Sequence, residues 1–494
     1  MEITPVTVIL IPLGVVSFFF APRILYWCTV FFLPFSATAV VNFNRAIGAT
    51  GLQAAMFFGV LWMLKAGPEA LRKPGLWRSQ QMQTAVRQLR FFMFAVVLSL
   101  IMPIYINGRL TVDCPDIGCT DSGPLTFTFR HITQVLYLAY GVLLSVLIAV
   151  KNSDIREFRK SIRIFLTSAI FVSGWGFLQW YCYRVGLSYP AFIFNNNTNI
   201  SAQGYLEDLR DLGLTRISSV ATEPSILAQY TIIALVFAIV AIVSQRAVIS
   251  RFWDRAALVV TASLLILSTS TTAYAGLAIL LPVWLLGLWY LRRLGIVPVA
   301  VVGSAVLLLY VAYANSDAIQ VIADRMIFSK SEDYSGIGRL NSLLLGFSYF
   351  RMYPILGIGW GSSTSYDIIL KLLSNTGILG LFAFASFLKS LFSQLLGSMS
   401  RPTPRTGISE RTYWACCLLV ATFMLIATSE LSGFAFVYGH TWFVFGMALA
   451  VPLFDEANLR ARTQPELNTG SFPQESLGEL KQPGVPFPDA GAVL

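Results

Sequence analysis

The feature that most limits this chain is a series of apolar runs that recurs from Val6 to Pro452. Each run is about 15 to 22 residues long, and a helix needs around 20 residues to cross the hydrocarbon of a bilayer. Only helices or closed barrels satisfy every backbone group in lipid, and these runs are too long for barrel strands. The runs therefore predict an all-α polytopic membrane protein with about 12 or 13 transmembrane helices.

The overall composition agrees with this prediction. Of the 494 residues, 56% are hydrophobic and 12% are charged, whereas an ordinary soluble domain carries roughly 25% charged residues. The net charge of +10 comes mostly from lysines and arginines clustered between the apolar runs. Such clusters mark cytoplasmic loops, and nucleic acid is not expected as a partner because its binding would need a basic soluble surface.

The basic clusters set the predicted topology. They lie within residues 65–90, 151–163, 246–255, 292–293 and 401–411. The polytopic domain is predicted to span residues 1–454, with long outside loops at about 107–130, 183–225 and 314–371. Residues 455–494 have too little apolar content to fold alone, so they are predicted to form a disordered cytoplasmic tail.

Cys114 and Cys119 lie in the first long outside loop. In an oxidising compartment two thiols this close in sequence favour a disulfide, and two free thiols are the alternative. A zinc site is not expected there, because four ligands are normally needed and no histidine lies nearby in that loop. The sequence predicts neither a metal nor a cofactor.

The stretch RISSVATEPSILAQY, residues 216–230, places charged residues at the start of a long apolar run. Pro224 suits a first helical position, and Glu223 before it complements the positive end of the helix dipole. This structural role is one interpretation of Glu223. The other is a functional role, because a carboxylate near lipid is costly unless a cation such as Arg216 faces it.

A hydroxyl-rich corner, STSTTA, joins two short apolar runs. Ser270, Thr271 and Thr272 lie at this corner, where short spans with polar hydroxyls can form a water-filled hollow for a polar substrate. The more common alternative is that such hydroxyls hydrogen-bond to their own helix.

The third unusual stretch lies in the longest outside loop. Residues 335–339 open a predicted helix whose apolar positions have helical spacing, and Pro354 is expected to end it. The sequence GIGWG follows, with Gly357 and Gly359 permitting a tight bend or a close backbone approach. It does not fit a nucleotide-binding loop, because no lysine follows the glycines and no strand precedes them.

Together these motifs resemble the O-antigen polymerase and ligase superfamily of bacterial envelopes. The resemblance covers about residues 210–390 and depends on the order of the three stretches, followed by NTGILG. Arg216, Glu223 and Arg339 match the family's arginine, Glu-Pro entrance and large-loop arginine. The chain departs from the family where Ser270-Thr271 replaces Ser-Arg. It also has Tyr366 and Asp367 where ligases have His-Asn, which favours the polymerase branch.

The resemblance implies a membrane-embedded glycosyltransferase of the bacterial inner membrane, with its active site facing the periplasm. Its substrates would be glycans linked to undecaprenyl diphosphate, and membrane lipids, a chain-length regulator and a flippase are further expected partners. Arginines would hold the diphosphate leaving group, and a carboxylate would accept the proton of the incoming sugar hydroxyl. The expected catalytic residues are Glu223, Arg216, Arg339 and Asp367, with Glu223 the first candidate for the base and Asp367 the second. The expected substrate-binding residues are Ser270, Thr271, Thr272, Tyr366, Gly357 and Gly359. The alternatives are a ligase of the same superfamily, a flippase of lipid-linked sugars, and a sensor or scaffold.

Overall fold

The computed structural model describes residues 2–42, 51–72, 74–113, 122–197, 216–244, 247–291, 295–316, 320–321, 324, 334–399, 409–433 and 436–454. The predicted tail at 455–494 lies outside these residues, as do Cys114 and Cys119. The predicted disulfide therefore stays a prediction.

The described part of the chain is built almost entirely from helices. In chain order they are α1 (Pro5–Phe20), α2 (Pro22–Phe31), α3 (Ala54–Leu71), α4 (Pro74–Trp77), α5 (Gln80–Ser99), α6 (Ile101–Ile106), α7 (Phe129–Lys151), α8 (Ile155–Val185), α9 (Ala191–Phe194), α10 (Pro224–Val243), α11 (Arg251–Leu267), α12 (Thr271–Tyr290), α13 (Ile296–Asn315), α14 (Tyr334–Met352), α15 (Ile368–Gly397), α16 (Glu410–Ser432) and α17 (Gly439–Ala450). A short 3-10 turn, Val451–Leu453, follows α17.

Two small antiparallel sheets complete the described fold. Strands β1 (Glu2–Ile3), β2 (Ala39–Asn42) and β3 (Leu52–Gln53) form the first, with β2 in the middle. Strands β4 (Thr111–Asp113) and β5 (Ser122–Pro124) form the second, which pairs the two sides of the first long predicted loop.

Seven helical segments within the described residues are long and apolar enough to cross a membrane. They are Gln80–Ile106, Phe129–Lys151, Ile155–Val185, Pro224–Val243, Thr271–Tyr290, Ile368–Gly397 and Glu410–Ser432. Shorter apolar helices occur at Pro5–Phe20 and Gly439–Leu453. These helices confirm the prediction of an all-α polytopic membrane protein.

Helix α10 lies at the centre of the bundle. It is apolar on all sides and almost completely buried, as a helix without a polar face must be. It packs against α8, α11, α12 and α16. Residues at the start of α10 are consequently held by a deeply packed helix.

Helix α15 is broken near its beginning. Gly377 has φ 62° and ψ −163°, values that interrupt the helix, and only glycine adopts them readily. The loop after α14 fills the break. The N–H groups of Ile358 and Gly359 donate to the carbonyls of Ser374 and Asn375 at 2.7 and 3.1 Å, and the N–H of Ile378 donates to Pro354 at 2.9 Å. The loop thus satisfies backbone groups that a broken helix in an apolar setting would leave unpaired.

The predicted helix in the longest loop is confirmed as α14, which packs against α15. Tyr349 is buried on its inner side. Leu340, Leu344 and Phe347 lie on its exposed side. The helix ends at Met352, two residues before Pro354.

Three of the predicted basic clusters meet at one end of the bundle. Arg159 donates from Nε and Nη2 to the Glu410 carboxylate at 2.6 and 2.5 Å. Arg163 donates to the carbonyl of Val248 at 2.8 Å. The described parts of these clusters, residues 151–163, 247–255 and 409–411, are therefore neighbours, as loops on one side of a membrane should be.

Candidate functional site

The candidate residues lie at the other end of the bundle, where α7, α10 and α15 begin and α16 ends; we call it the entrance end. Gln229 of α10 joins two of these helices there. Its Nε2 donates to Ser432 Oγ at 2.7 Å and to the carbonyl of Gly433 at 3.1 Å. The start of α10 and the end of α16 are thus fixed to each other.

The segment that leads into α10 is held by hydrogen bonds from several directions. Gln179 of α8 accepts from the N–H groups of Ser218 and Ser219 at 3.2 and 2.7 Å. The N–H of Thr222 donates to Ser36 Oγ at 3.0 Å. Ser219 has φ 53°, an uncommon value for a serine. These bonds hold the backbone before Glu223 in place.

Glu223 occupies the N-cap position of α10, but its side chain does not cap the helix. Its Oε2 accepts a hydrogen bond from Ser225 Oγ at 3.0 Å, and the side chain is partly exposed. Pro224 follows at the first helical position, as the sequence predicts. The side-chain cap that would explain Glu223 structurally is therefore not formed.

Tyr438 lies close to Glu223, in the loop before α17. Burial, and to a smaller degree the Glu223 carboxylate, raises the pKa of Tyr438 above its usual value. The phenol therefore stays protonated around neutral pH and carries no charge that would repel the carboxylate.

The hydroxyl-rich corner between α11 and α12 is mostly buried. Ser270 and Thr272 are almost inaccessible, while Thr271 is partly exposed. Thr272 Oγ1 has no hydrogen-bond partner, so it does not bond back to its own helix as the common alternative would have it. Tyr274, one turn further along, interacts electrostatically with Arg216. Arg216 thus belongs with this corner.

Asp367 occupies the N-cap position of α15, and here the side chain does cap the helix. Its Oδ1 accepts from the N–H of Leu370 at 2.6 Å, and its Oδ2 accepts from Ser365 Oγ at 2.8 Å. A second carboxylate lies beside it, because Glu430 Oε2 accepts from the N–H of Ile368 at 3.2 Å. Both oxygens of Asp367 are therefore engaged in shaping the start of α15.

Arg339 of α14 reaches across to the end of α16. Its Nη1 donates to the carbonyl of Leu431 at 2.6 Å. The guanidinium also lies over the ring of Tyr366 at 5.6 Å, a cation–π contact. Tyr366 in turn lies next to Gly433. The structure thus brings together Arg339, Tyr366, Asp367 and the end of α16.

Gly357 and Gly359 serve close backbone approach. Gly357 has φ 64° and faces the backbone of Ser374 to Thr376 so closely that a Cβ would clash with it. Gly359 has φ 104° and would clash with the ring of Pro103 if it carried a Cβ. The close backbone approach predicted from GIGWG is confirmed. Gly357 approaches the break in α15, and Gly359 approaches α6. The substrate-binding role of these glycines stays a prediction.

The candidate residues therefore fall into three groups at the entrance end. Arg216 lies with the hydroxyl corner, Glu223 lies with Tyr438, and Arg339 lies with Tyr366 and Asp367. Gly433 lies beside Tyr366, and Tyr438 interacts electrostatically with Glu223.

Sequence reasoning missed three charged residues at this end, namely Arg130, Lys371 and Glu430. Arg130 and Lys371 line a common cavity with Trp360. The sequence does carry a signal for them, because each of the three lies at the end of an apolar run. Charged residues inside membrane-spanning helices are costly and mark functional positions by default.

In comparisons with known proteins, no family model and no curated sequence matches this chain. The class that the fold defines is a multi-pass helical membrane protein. Any narrower function has to be argued from the entrance end itself.

Proposed function

We propose that this protein is a membrane-embedded glycosyltransferase that polymerises oligosaccharide repeat units carried on undecaprenyl diphosphate. It acts at the periplasmic face of the bacterial inner membrane, in the synthesis of O-antigen or exopolysaccharide. The proposal includes the finer topology, in which further apolar segments besides the seven long helices also cross the membrane to give about 12 or 13 spans. In this topology the entrance end faces the periplasm and residues 455–494 form a cytoplasmic tail.

The observation that carries the proposal is that a carboxylate without a capping bond and two arginines occur at the same end of the bundle. The Glu223 carboxylate accepts a hydrogen bond from Ser225 Oγ and does not cap its helix. Arg339 donates to the carbonyl of Leu431 at the end of α16, the helix end to which Gln229 of α10 is also hydrogen-bonded. Transfer from a lipid diphosphate requires a base and an anion-binding group at one site.

In the proposed reaction, Glu223 accepts the proton of the acceptor sugar hydroxyl. The hydroxyl oxygen forms a bond to the anomeric carbon of the donor glycan, and the bond from that carbon to the diphosphate oxygen breaks. The electron pair leaves with undecaprenyl diphosphate. No further energy source is needed, because the diphosphate is already a good leaving group.

Arginines stabilise the leaving group in this scheme. Negative charge develops on the diphosphate oxygens, and guanidinium groups can hold such oxygens in a bidentate way. Arg339 is oriented by Leu431 and Tyr366, and Arg216 lies at the hydroxyl corner. An arginine held by neighbours loses little freedom when it binds the substrate.

The test in cells is deletion of the gene followed by gel analysis of surface polysaccharide. The proposal expects single repeat units attached to the lipid A core, or remaining on the carrier, in place of a ladder of chain lengths. Long chains that remain unattached would instead indicate a ligase. Absence of any repeat unit at the outer face would indicate a flippase.

The test in vitro uses the purified full-length protein with purified lipid-linked repeat units. The proposal expects chains to lengthen without any nucleotide or metal added to drive the reaction. If the substrate is taken up by proteoliposomes and recovered unlengthened on the other side, transport replaces polymerisation as the function.

A further inference from the structure

A small cavity opens at the entrance end between the starts of α7 and α15. Its volume is about 60 Å³, and Arg130, Lys371, Trp360, Gln134 and Ser363 are among its lining residues. One water molecule needs roughly 10–15 Å³ of such volume. The cavity is therefore large enough for a few waters or for one small oxyanion. It contains none of the residues that the proposed mechanism uses.

The charges around this cavity favour an anion. Arg130 lies in the first turn of α7 and Lys371 in the first turn of α15. A helix N-terminus carries a partial positive charge that prefers negative partners. Each of the two cations therefore adds its charge to the positive end of its own helix, and the two together make the local potential more positive. Arg130 and Lys371 also act on each other as like charges. Asp367, one turn before Lys371, offsets part of this potential.

An independent observation points to the same kind of ligand. Trp360 lines the cavity and is only 4% exposed, yet its Nε1 has no hydrogen-bond partner. Its ring packs against Phe92 and Phe436, with ring centroids at 6.3 and 5.1 Å. Buried indole N–H groups normally find an acceptor. A ligand oxygen in the cavity would supply one.

The cavity wall is built in advance of any ligand. Asn375 Oδ1 accepts from the N–H groups of Gly361, Ser362 and Ser363 at 3.1, 3.1 and 3.2 Å. Its Nδ2 donates to the carbonyls of Ser363 and Lys371 at 3.1 and 2.9 Å. Asn375 therefore fixes the loop that carries Trp360 to the helix that carries Lys371.

The α7 side of the cavity is fixed as well. His131 Nε2 lies 3.1 Å from Ser362 Oγ. Gly361 has φ 85° and approaches the side chain of Gln134. The two helices and the loop are thus bonded to one another around the cavity, and a site held this rigidly loses little entropy when it binds a ligand.

We propose that this cavity is a binding site for one phosphate group, with Arg130 and Lys371 supplying charge and the Trp360 indole N–H supplying a directed hydrogen bond. The site does not depend on the proposed function. That the phosphate belongs to a lipid-linked diphosphate does rest on it, and a free phosphate ion is the other source of the same chemistry.

The experiment measures binding of inorganic phosphate and inorganic diphosphate to the purified full-length protein in lipid nanodiscs, by isothermal titration calorimetry. We expect saturable binding at one site per chain. The decisive variant is Trp360→Phe, which keeps an aromatic ring against Phe92 and Phe436 and removes the N–H together with part of the indole ring. It should weaken binding by about 10- to 150-fold, the effect of one hydrogen bond to a charged group. Lys371→Met and Arg130→Gln should weaken it more.

The matched control is Arg351→Gln, which removes an exposed arginine at the end of α14 that does not line the cavity. Binding should be unchanged in this variant. If Trp360→Phe binds as tightly as wild type while all three charge variants, Arg351→Gln included, lose affinity equally, the attraction is diffuse and the site is refuted. Absence of saturable binding in wild type refutes it as well.

The source of the phosphate is resolved by competition. Undecaprenyl phosphate in the nanodisc should displace inorganic diphosphate, whereas phosphatidylcholine alone should not. If undecaprenyl phosphate does not compete, the inference that the phosphate comes from a lipid is refuted, and the cavity is a site for free phosphate. Because the readout is binding, loss of the site with polymerisation intact would refute only this inference, and binding without any polymerisation in wild type would refute only the proposed function.

Discussion

Glu223 and Asp367 occupy the same position in two helices, yet their side chains are used in different ways. Each is the N-cap residue of a helix that begins at the entrance end, with extended backbone angles of φ −141° and φ −120°. Asp367 accepts from the backbone of Leu370, whereas Glu223 makes no capping bond. An acidic residue at a helix start is therefore not by itself evidence of a cap.

The two side chains differ in length and in the partner that they reach. In α10 the longer glutamate side chain accepts from Ser225 Oγ and from no backbone N–H of the first turn. Helix α15 begins with Ile368 and offers its third N–H to the shorter aspartate, the geometry in which aspartate is a preferred cap. The comparison teaches that Asp367 caps its helix, whereas the carboxylate of Glu223 makes no capping bond.

The largest expected effect is on turnover when the two carboxylates are replaced by amides. Under the proposed function, Glu223→Gln should slow polymerisation of purified lipid-linked repeat units by about 10²- to 10⁴-fold, because an amide cannot accept the proton. Asp367→Asn should keep a near-normal rate, since asparagine caps a helix about as well as aspartate. Equal protein levels in the membrane are the control for folding.

The opposite result would break the comparison. If Asp367→Asn were inactive and Glu223→Gln active, the base would be Asp367 in spite of its two hydrogen bonds. If both variants turned over normally, the proton would leave by another route and the carboxylate part of the mechanism would be wrong.

The second-largest expected effect is on polymerisation when Arg339, the arginine in the same group as Asp367, is replaced by lysine. Arg339 donates to Leu431 at 2.6 Å while its plane lies over Tyr366 at 5.6 Å. A lysine ammonium cannot make these two contacts and also bind two diphosphate oxygens in a bidentate way. We expect Arg339→Lys to reduce polymerisation by about 10- to 100-fold while the protein still accumulates in the membrane.

Arg351→Lys, an exposed change on the same helix, serves as the matched control and should leave chain length unaltered. Wild-type chain length in the Arg339→Lys variant would remove Arg339 from the mechanism. It would also leave Glu223 without an established anion-binding partner on α14.

The third effect is on stability, at the break that distinguishes α15 from the unbroken α10. In Gly377→Ala a Cβ would clash with the backbone of Ile355, and the φ of 62° is unfavourable for alanine. We expect a loss of about 1–3 kcal/mol in the free energy of unfolding, measured as a lower unfolding temperature in detergent.

Gly174→Ala is the control for this change. Gly174 lies within α8 with open space around it, so alanine should be neutral or should stabilise the helix by up to about 1 kcal/mol. If both variants unfolded at the wild-type temperature, the break in α15 would not be a constrained feature of the fold.

The sequence was sufficient for the parts of this molecule that follow from local rules. The apolar runs predicted the helices, Pro224 predicted the start of α10, and residues 335–339 predicted the start of α14 to within a residue. These features depend on periodicity and on the backbone chemistry of single residues, both of which can be deduced without knowing what packs against them.

The remaining features depend on contacts between segments far apart in the chain. That Asp367 caps a helix and Glu223 does not depends on the partner that each side chain reaches. That Gly357 faces the backbone around Asn375 depends on a loop closing over a broken helix. Arg130 and Lys371 are 241 positions apart by their numbers, and no spacing rule relates them. Only the packed structure brings these groups together.

The smallest expected effect measures the cap itself. Replacing Asp367 by alanine removes the bond to Leu370 N–H and should cost about 0.5–2 kcal/mol in the free energy of unfolding, whereas Asp367→Asn should cost little. Glu223→Ala removes no capping bond, so its cost should fall below that of Asp367→Ala, and its effect should lie in turnover. Thermal unfolding of the three variants in one detergent is the measurement. A larger loss in Glu223→Ala than in Asp367→Ala would mean that Glu223 supports its helix after all, through Ser225 or the dipole of α10. In that case slow turnover in Glu223→Gln could arise from a shifted helix start, and only a variant that restored stability without restoring the carboxylate would separate the two causes.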